Sequence, residues 1–354
     1  MADAPLIKLD PDSPDPVIVE HAAALIRRGG LVAFPTETVY GLGANALDPI
    51  AVAAIYAAKG RPAWNPVIAH VPDAAAARVL TREWPAAADR LAAAFWPGPL
   101  TMVLPKAPQV PDAATAGLDA VGVRVPSHPV ALALLRAAGV PIAAPSANRF
   151  TQVSPTTAQH VQASLGDRVG LILDGGPSAV GIESTVVDLT GPDAVILRPG
   201  MISAADLELA LRDTGVAVRS VIATVLHNAS AESDADRSPA QRSPGMADRH
   251  YAPRADVWLF DPEQQPEITA ALTETLAARN PAAGGVTALL RTTTLPLPDD
   301  AIVRMPDDPA TYARTLYAAL HAADAAGASL IVIERPPADD RWVGLRDRLS
   351  RAAR

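Results

Sequence analysis

The sequence predicts an α/β chain in two units, a first built on a mixed sheet and a smaller second one with a parallel, Rossmann-like sheet. Three observations carry this expectation. Short apolar runs alternate with stretches of helical spacing through residues 17–166, and strands then cluster without helices between them. A mixed sheet accommodates that order better than a purely doubly wound one. Residues 216–254 show no sustained period beyond "VIATVL", and "HNASAESDADRSPAQRSPG" is polar and low in aromatics, as a flexible linker is. From residue 255 the alternation resumes. The expected organisation is therefore 1–215, a linker at 216–254, and 255–354.

Each element has a local reason. Residues 17–28 space their apolar positions helically, and Gly29-Gly30 ends the run as a C-cap would. "LVAF" (31–34) follows as a short buried strand. "DPIAVAAIYAAKG" (48–60) is a helix opened by Asp48 and Pro49 and closed near Gly60. "PVIAHV" (66–71) is a strand, and "AAADRLAAAFWPG" (86–98) a helix stopped by Pro97-Gly98. "LTMVL" (100–104) and "VGVRV" (121–125) are strands around a break. "HPVALALLRAAG" (128–139) is a helix and "PIAA" (141–144) a strand. "SPTTAQHVQASLG" (154–166) reads as a helix capped by Ser154 with Pro155 in its first turn. "VGLILD", "STVVDL" and "AVILR" are strands, and "SAADLELALRDTG" (203–215) closes the unit as a helix. In the second unit "ADVWLF", "GGVTALL", "AIVRM" and "SLIVIE" are strands, with helices at 266–278, 308–326 and 340–353.

Composition narrows the function. Of 354 residues 49% are hydrophobic, enough for a substantial core. No apolar run reaches the roughly 18 residues of a membrane span, and "MADAPLIKLDPDSPDP" lacks the layout of a signal peptide. A cytoplasmic protein is expected. There is no cysteine, which excludes disulfides, a thiol nucleophile and thiolate zinc. The net charge of −8 argues against a broad nucleic-acid surface, so at most weak nucleic-acid contact is expected. Only three lysines occur among 30 basic residues, and Lys59 alone falls in a motif.

"GLGANA" (41–46) has the spacing of a dinucleotide fingerprint but the wrong context, because "PTETVY" separates it from its strand. No phosphate-binding loop of the G-x-x-x-x-G-K type occurs. "PTETVYG" instead sets Thr36, Glu37, Thr38 and Tyr40 beyond a strand end, where ligands of α/β sheets gather; a polar turn is the plainer reading. "KGRPAWNP" (59–66) puts Lys59 and Arg61 at a helix end, ahead of a loop stiffened by Pro62 and Pro66. A lysine suits a phosphate as a point charge and an arginine as a fork, although helix ends favour cations in any case. His70 ends a strand, where a satisfied structural histidine is the commoner reading than a ligand. Arg124 lies in an apolar strand and needs an anion, from the protein or from a substrate. "APSANRFTQVSP" (144–155) adds Ser146, Asn148 and Ser154 ahead of a helix, and "ESTVVD" and "LRPG" add Ser184 and Arg198. Together these residues describe an anion-binding cleft without a carboxylate-rich metal cage.

"FPTETVYGLGANA", "KGRPAWNPVIAHV", "WPGPLTMVL", "VGVRVPSHP", "PSANRFTQVSPT", "IESTVVDL", "ILRPG" and "SPGMADRHYAP", in that order, resemble the threonylcarbamoyl-AMP synthases in their long form. That form has a YrdC-like catalytic domain on a twisted mixed sheet and an appended C-terminal domain. The resemblance implies that L-threonine, bicarbonate and ATP give threonylcarbamoyl-adenylate and pyrophosphate. The product would pass to a tRNA threonylcarbamoyltransferase for modification beside the anticodon. By position, Thr38, His70, Arg124 and Ser184 match threonine-binding residues. Arg61, Asn65, Ser146, Asn148, Ser154, Arg198 and Tyr251 match ATP contacts, and Lys59 and Arg61 the catalytic cations. Mg²⁺ is expected to be held mainly by ATP and water. Tyr251 turns the linker into a candidate lid. This chain carries Thr151 where the family usually has glycine. A carbamoyltransferase with the same domain would need Cys-rich zinc fingers, and an RNA-binding module would need a basic surface; neither suits this composition.

Overall fold

The computed structural model describes residues 3–220, 250–278 and 284–353. The first unit begins β1 (Leu6–Lys8), α1 (Pro16–Arg27), β2 (Val32–Phe34), β3 (Gly41–Asn45), α2 (Pro49–Lys59) and β4 (Ile68–His70). It continues α3 (Ala74–Val79), α4 (Ala86–Phe95), β5 (Leu100–Pro105), α5 (Asp112–Thr115), β6 (Ala120–Arg124), α6 (Pro129–Ala138) and β7 (Ile142–Ala143). It ends α7 (Ala158–Leu165), β8 (Leu171–Asp174), β9 (Thr185–Asp188), β10 (Ala194–Arg198), α8 (Ala204–Leu211) and β11 (Val218–Ser220). These strands form an 11-stranded sheet in the order β1-β8-β2-β3-β7-β4-β6-β5-β9-β10-β11. Parallel and antiparallel neighbours alternate irregularly, for example β4 parallel to β6 but antiparallel to β7. The expected mixed sheet is present.

Several elements differ from the sequence reading. "GLGAN" is strand β3, paired antiparallel to β2 and β7. Its spacing reflects packing: a Cβ on Gly43 would sit 2.8 Å from the Phe34 ring and 2.9 Å from Ile142. Helix α7 is capped by Thr157, whose side chain accepts from the His160 amide, and not by Ser154. Ser154 Oγ instead donates to Glu183, 2.5 Å away. The sheet also continues past residue 215, because β11 pairs parallel with β10.

The second unit contains β12 (Asp256–Phe260), α9 (Gln265–Ala278), β13 (Gly285–Leu290), β14 (Ile302–Arg304), α10 (Pro309–Ala325), β15 (Ala328–Glu334) and α11 (Val343–Ala352). Its sheet, β12-β15-β13-β14, is wholly parallel, as expected.

The two units share a core. Val39, Val153 and Ile182 of the first pack with Tyr312, Leu316, Tyr317, Trp342 and Leu345 of the second, and Tyr251 lies among them. Backbones meet closely there: a Cβ on Gly344 would fall 2.6 Å from the Gly200 carbonyl oxygen. Burying aromatic and aliphatic surface at roughly 25 cal/mol per Å² makes this contact an integral part of the fold.

Candidate functional site

Neighbouring strands of the large sheet bring the motifs together. Register places His70 beside Arg124 where β4 and β6 pair. The β2–β3 turn supplies Thr36 and Thr38, the segment after β7 supplies Ser146, and Glu183 and Ser184 precede β9. Arg198 ends β10. With Arg61, His250 and Tyr251, these residues line one cavity. Thr38, Arg61, His70, Arg124, Ser146, Ser184, Arg198 and Tyr251 are all expected site residues found on its wall.

Lys59, Asn65, Asn148 and Ser154 lie behind that wall and brace it. Lys59 is buried, and its Nζ donates to the carbonyl oxygens of Ser146, at 2.5 Å, and of Asn148. It thereby shapes the loop that carries Ser146. Burial, then the nearby Arg61, pushes the Lys59 ammonium well below its usual value. Arg61 is oriented by Asn65, donating from Nε to its carbonyl at 3.1 Å and from its terminal nitrogen to Oδ1 at 2.5 Å. Asn148 donates to the Gln152 carbonyl at 2.7 Å, folding its loop.

The anion that Arg124 requires is partly supplied by the protein. Its terminal nitrogen donates to Glu37 Oε1 at 2.7 Å, inside the fold. Arg124 Nε is buried with no partner among the described residues, and so are Asn65 Nδ2, His250 Nε2 and Tyr251 Oη. A buried unpartnered polar group costs about 1–3 kcal/mol, so the three on the cavity wall, those of Arg124, His250 and Tyr251, mark a place where a ligand supplies the partners. His70 is neutral: burial, then Arg124, pushes it down to about 3. Ser184 Oγ lies 2.8 Å from Thr101 Oγ1 and accepts from Arg198 at 3.2 Å.

The linker enters the same space. His250 and Tyr251 are buried, their rings 4.1 Å apart. Burial, then Arg61, Lys59, Arg198 and Arg348, keeps His250 neutral. The expected opening of this stretch, "SPGMADR" (243–249), lies outside the described residues. With Tyr251 in place the cavity measures about 40 Å³.

Sequence reasoning passed over several residues that shape the site. Glu37 and Glu183 stood in quoted motifs without a role. Tyr317 and Arg348 come from the second unit, to which no site residue was assigned. Arg348 did leave a signal: it falls with Leu345, Leu349 and Ala352 on one buried helical face of "WVGLRDRLSRAAR", where a lone arginine demands a partner. Among the described residues no cluster of three or more His, Cys, Asp or Glu could hold a metal ion, and no helix is long and apolar enough to cross a membrane.

Fold and cleft together define a two-domain α/β protein with a site walled by Arg61, Arg124 and Arg198. The chain belongs to the threonylcarbamoyl-AMP synthase family. Residues 24–200 match the family model described as telomere recombination, and residues 202–354 match that of the threonylcarbamoyl-AMP synthase C-terminal domain. It is 47% identical over 243 residues to threonylcarbamoyl-AMP synthase of Pyrococcus abyssi, covering 69% of this chain and 68% of that one. It is 46% identical over 248 residues to the Bacillus subtilis protein of the same name, covering 70% and 67%. The crystal structure of P. abyssi Sua5 complexed with L-threonine superposes with a TM-score of 0.85 at 37% identity, over 98% of this chain and 97% of that one.

Proposed function

We propose that this chain joins L-threonine, bicarbonate and ATP into L-threonylcarbamoyladenylate, releasing pyrophosphate. The observation that carries the reading is the convergence of Arg61, Arg124 and Arg198 with unpartnered buried polar atoms on one cavity of the catalytic domain.

On this reading Arg124 Nε receives the threonine carboxylate, while Glu37 fixes the other end of the guanidinium. Thr38, Ser184 and neutral His70 surround the rest of the amino acid. Arg61 and Arg198 face the triphosphate, with Ser146, Asn148, Asn65 and Ser154 on the nucleotide side. Lys59 acts by holding the Ser146–Asn148 loop. The threonine amine attacks the carbonate carbon, water leaves, and a carbamate forms. A carbamate oxygen then attacks the α-phosphorus and pyrophosphate departs. Neither step needs a protein nucleophile; orientation and charge neutralisation lower the barrier.

Mg²⁺ enters as part of the nucleotide substrate. The wall carboxylate Glu183 is already engaged by Ser154, Tyr317 and Arg348, which leaves metal coordination to the triphosphate and water.

The His250–Tyr251 segment serves as a lid. A cavity of about 40 Å³ is far below the roughly 300–1,000 Å³ of a small-molecule site, so these rings withdraw to admit ATP and return to exclude water from the carbamate. The adenylate passes to a tRNA threonylcarbamoyltransferase, with the cytoplasm as the place of reaction.

The test is pyrophosphate release from ATP. Release dependent on both L-threonine and bicarbonate is expected, and equal rates with L-serine would overturn the substrate assignment.

A further inference from the structure

Glu183 sits where the two units meet. Its carboxylate accepts from Ser154 Oγ at 2.5 Å, from Tyr317 Oη at 3.1 Å and from Arg348 Nε at 2.7 Å. Tyr317 belongs to α10 and Arg348 to α11, so two of the three donors come from the second unit. Neither is exposed to solvent. Arg348 is itself fixed by Asp347, 2.6 Å from its other end, and Asp347 also takes Arg351 at 3.0 Å.

Ser154 is held a second time from the same side. Its carbonyl oxygen lies 3.1 Å from His321 Nε2, also on α10. The hydroxyl is thus aimed by a carboxylate that the second unit orients, and the backbone is pinned by the second unit directly. Burial alone pushes the Glu183 carboxyl up, but Arg348, Arg198 and the Ser154 hydrogen bond overcome it and hold it below its usual value. Burial pushes the Tyr317 phenol well up, so it remains a donor. The other charged or titratable groups near Glu183 are Lys59 of the first unit and Tyr251 of the linker.

We infer that Tyr317 and Arg348 are positioning residues for the adenylation site: through Glu183 they fix the Ser154 hydroxyl, and this makes the second unit part of the catalytic apparatus. The inference rests on the nucleotide-side reading of Ser154 given above. It assigns the second unit a task in ATP use and none in threonine binding, because the side chains of the threonine-side groups Arg124, Thr38, His70 and Ser184 make no hydrogen bond with Tyr317 or Arg348 among the described residues.

The experiment uses the full chain and measures the KM for ATP and for L-threonine by pyrophosphate release. The variants are Tyr317→Phe, Ser154→Ala and the double variant. Tyr317→Phe removes one hydroxyl and keeps the ring, so it folds where Arg348→Met could fail. A lost hydrogen bond to a carboxylate is expected to raise the KM for ATP about tenfold, with the KM for L-threonine within about twofold. In the Ser154→Ala background Tyr317→Phe is expected to add nothing, since the two act in series. Independent, multiplying effects, an equal rise in both KM values, or unchanged ATP kinetics in Tyr317→Phe would each overturn the inference while leaving an impaired Ser154→Ala to support the site reading. Normal ATP kinetics in Ser154→Ala would overturn both.

Discussion

Arg124 and Glu37 form an ion pair at 2.7 Å with side chains only 5% and 7% exposed. Glu37 also accepts from the Ser127 amide at 3.1 Å, so the carboxylate is fixed from two sides. Removing one partner of a buried pair leaves an uncompensated charge and costs about 3–5 kcal/mol. Glu37→Ala is therefore expected to lower the unfolding free energy by that amount, read as a lower denaturation midpoint at constant slope. Saturating L-threonine should then stabilise the variant more than the natural protein, because its carboxylate restores an anion to Arg124. Equal stabilisation of the two would show that threonine does not reach this arginine.

Lys59 carries a different expectation. Its ammonium meets carbonyl oxygens of Ser146 and Asn148, so its loss loosens a loop before it affects any phosphate. Lys59→Ala and Arg61→Ala should each lower the rate of pyrophosphate release at least about tenfold, or roughly 1.4 kcal/mol. The two differ in protection: amides of the 146–152 loop should exchange faster in Lys59→Ala and little faster in Arg61→Ala. Unchanged exchange in Lys59→Ala would return the lysine to a direct role.

Much of this site was legible because strand-end motifs in an α/β chain converge whatever the strand order. Arg124 declared its need for an anion through its apolar neighbours, and Asp48, Pro49 and Gly60 marked α2 to the residue. Two things were hidden. β3 was masked because Gly41 and Gly43 are poor strand formers, chosen here for close contact with Phe34. The Glu183 cluster was hidden because its partners lie 134 and 165 residues away, and periodicity carries no information on which faces meet across a linker.

Thr151 occupies left-handed backbone, at φ 68°, and Tyr251 does so at 60°. The two are adjacent in space: the Ala252 amide donates to the Thr151 carbonyl at 2.9 Å, and Gln152 bridges Ala252. A β-branched residue in this region is strained by about 1–2 kcal/mol, while glycine adopts it at no steric cost. Thr151→Gly should therefore stabilise the chain by about 1 kcal/mol after glycine's larger unfolded-state entropy is counted, read as a higher midpoint in urea. A lower midpoint would mean that the Thr151 side chain contributes more than its strain removes.

His160 and His321 stack across the junction of the two units, with centroids 3.8 Å apart and planes 21° apart. Each ring faces a neutral polar group of the first unit: His160 Nδ1 lies 3.3 Å from the Thr156 amide, and His321 Nε2 lies 3.1 Å from the Ser154 carbonyl. Burial, then His321, pushes His160 down to about 4, and burial pushes His321 down as well, against weaker upward pulls from the Ser154 carbonyl and then Asp324. In the unfolded chain both titrate near 6.5. Between that value and the folded one the unfolded chain binds more protons, so stability rises with pH. The pair is thus fully stabilised above about pH 6.5 and loses stability as the pH falls towards about 4. His321→Gln keeps a donor for the Ser154 carbonyl and removes one of the two titrations. Its melting temperature should fall less steeply than that of the natural protein between about pH 7 and about pH 5, whereas parallel profiles would show that the stack does not sense pH. His70, held at about 3, contributes equally to both profiles and cancels in the difference.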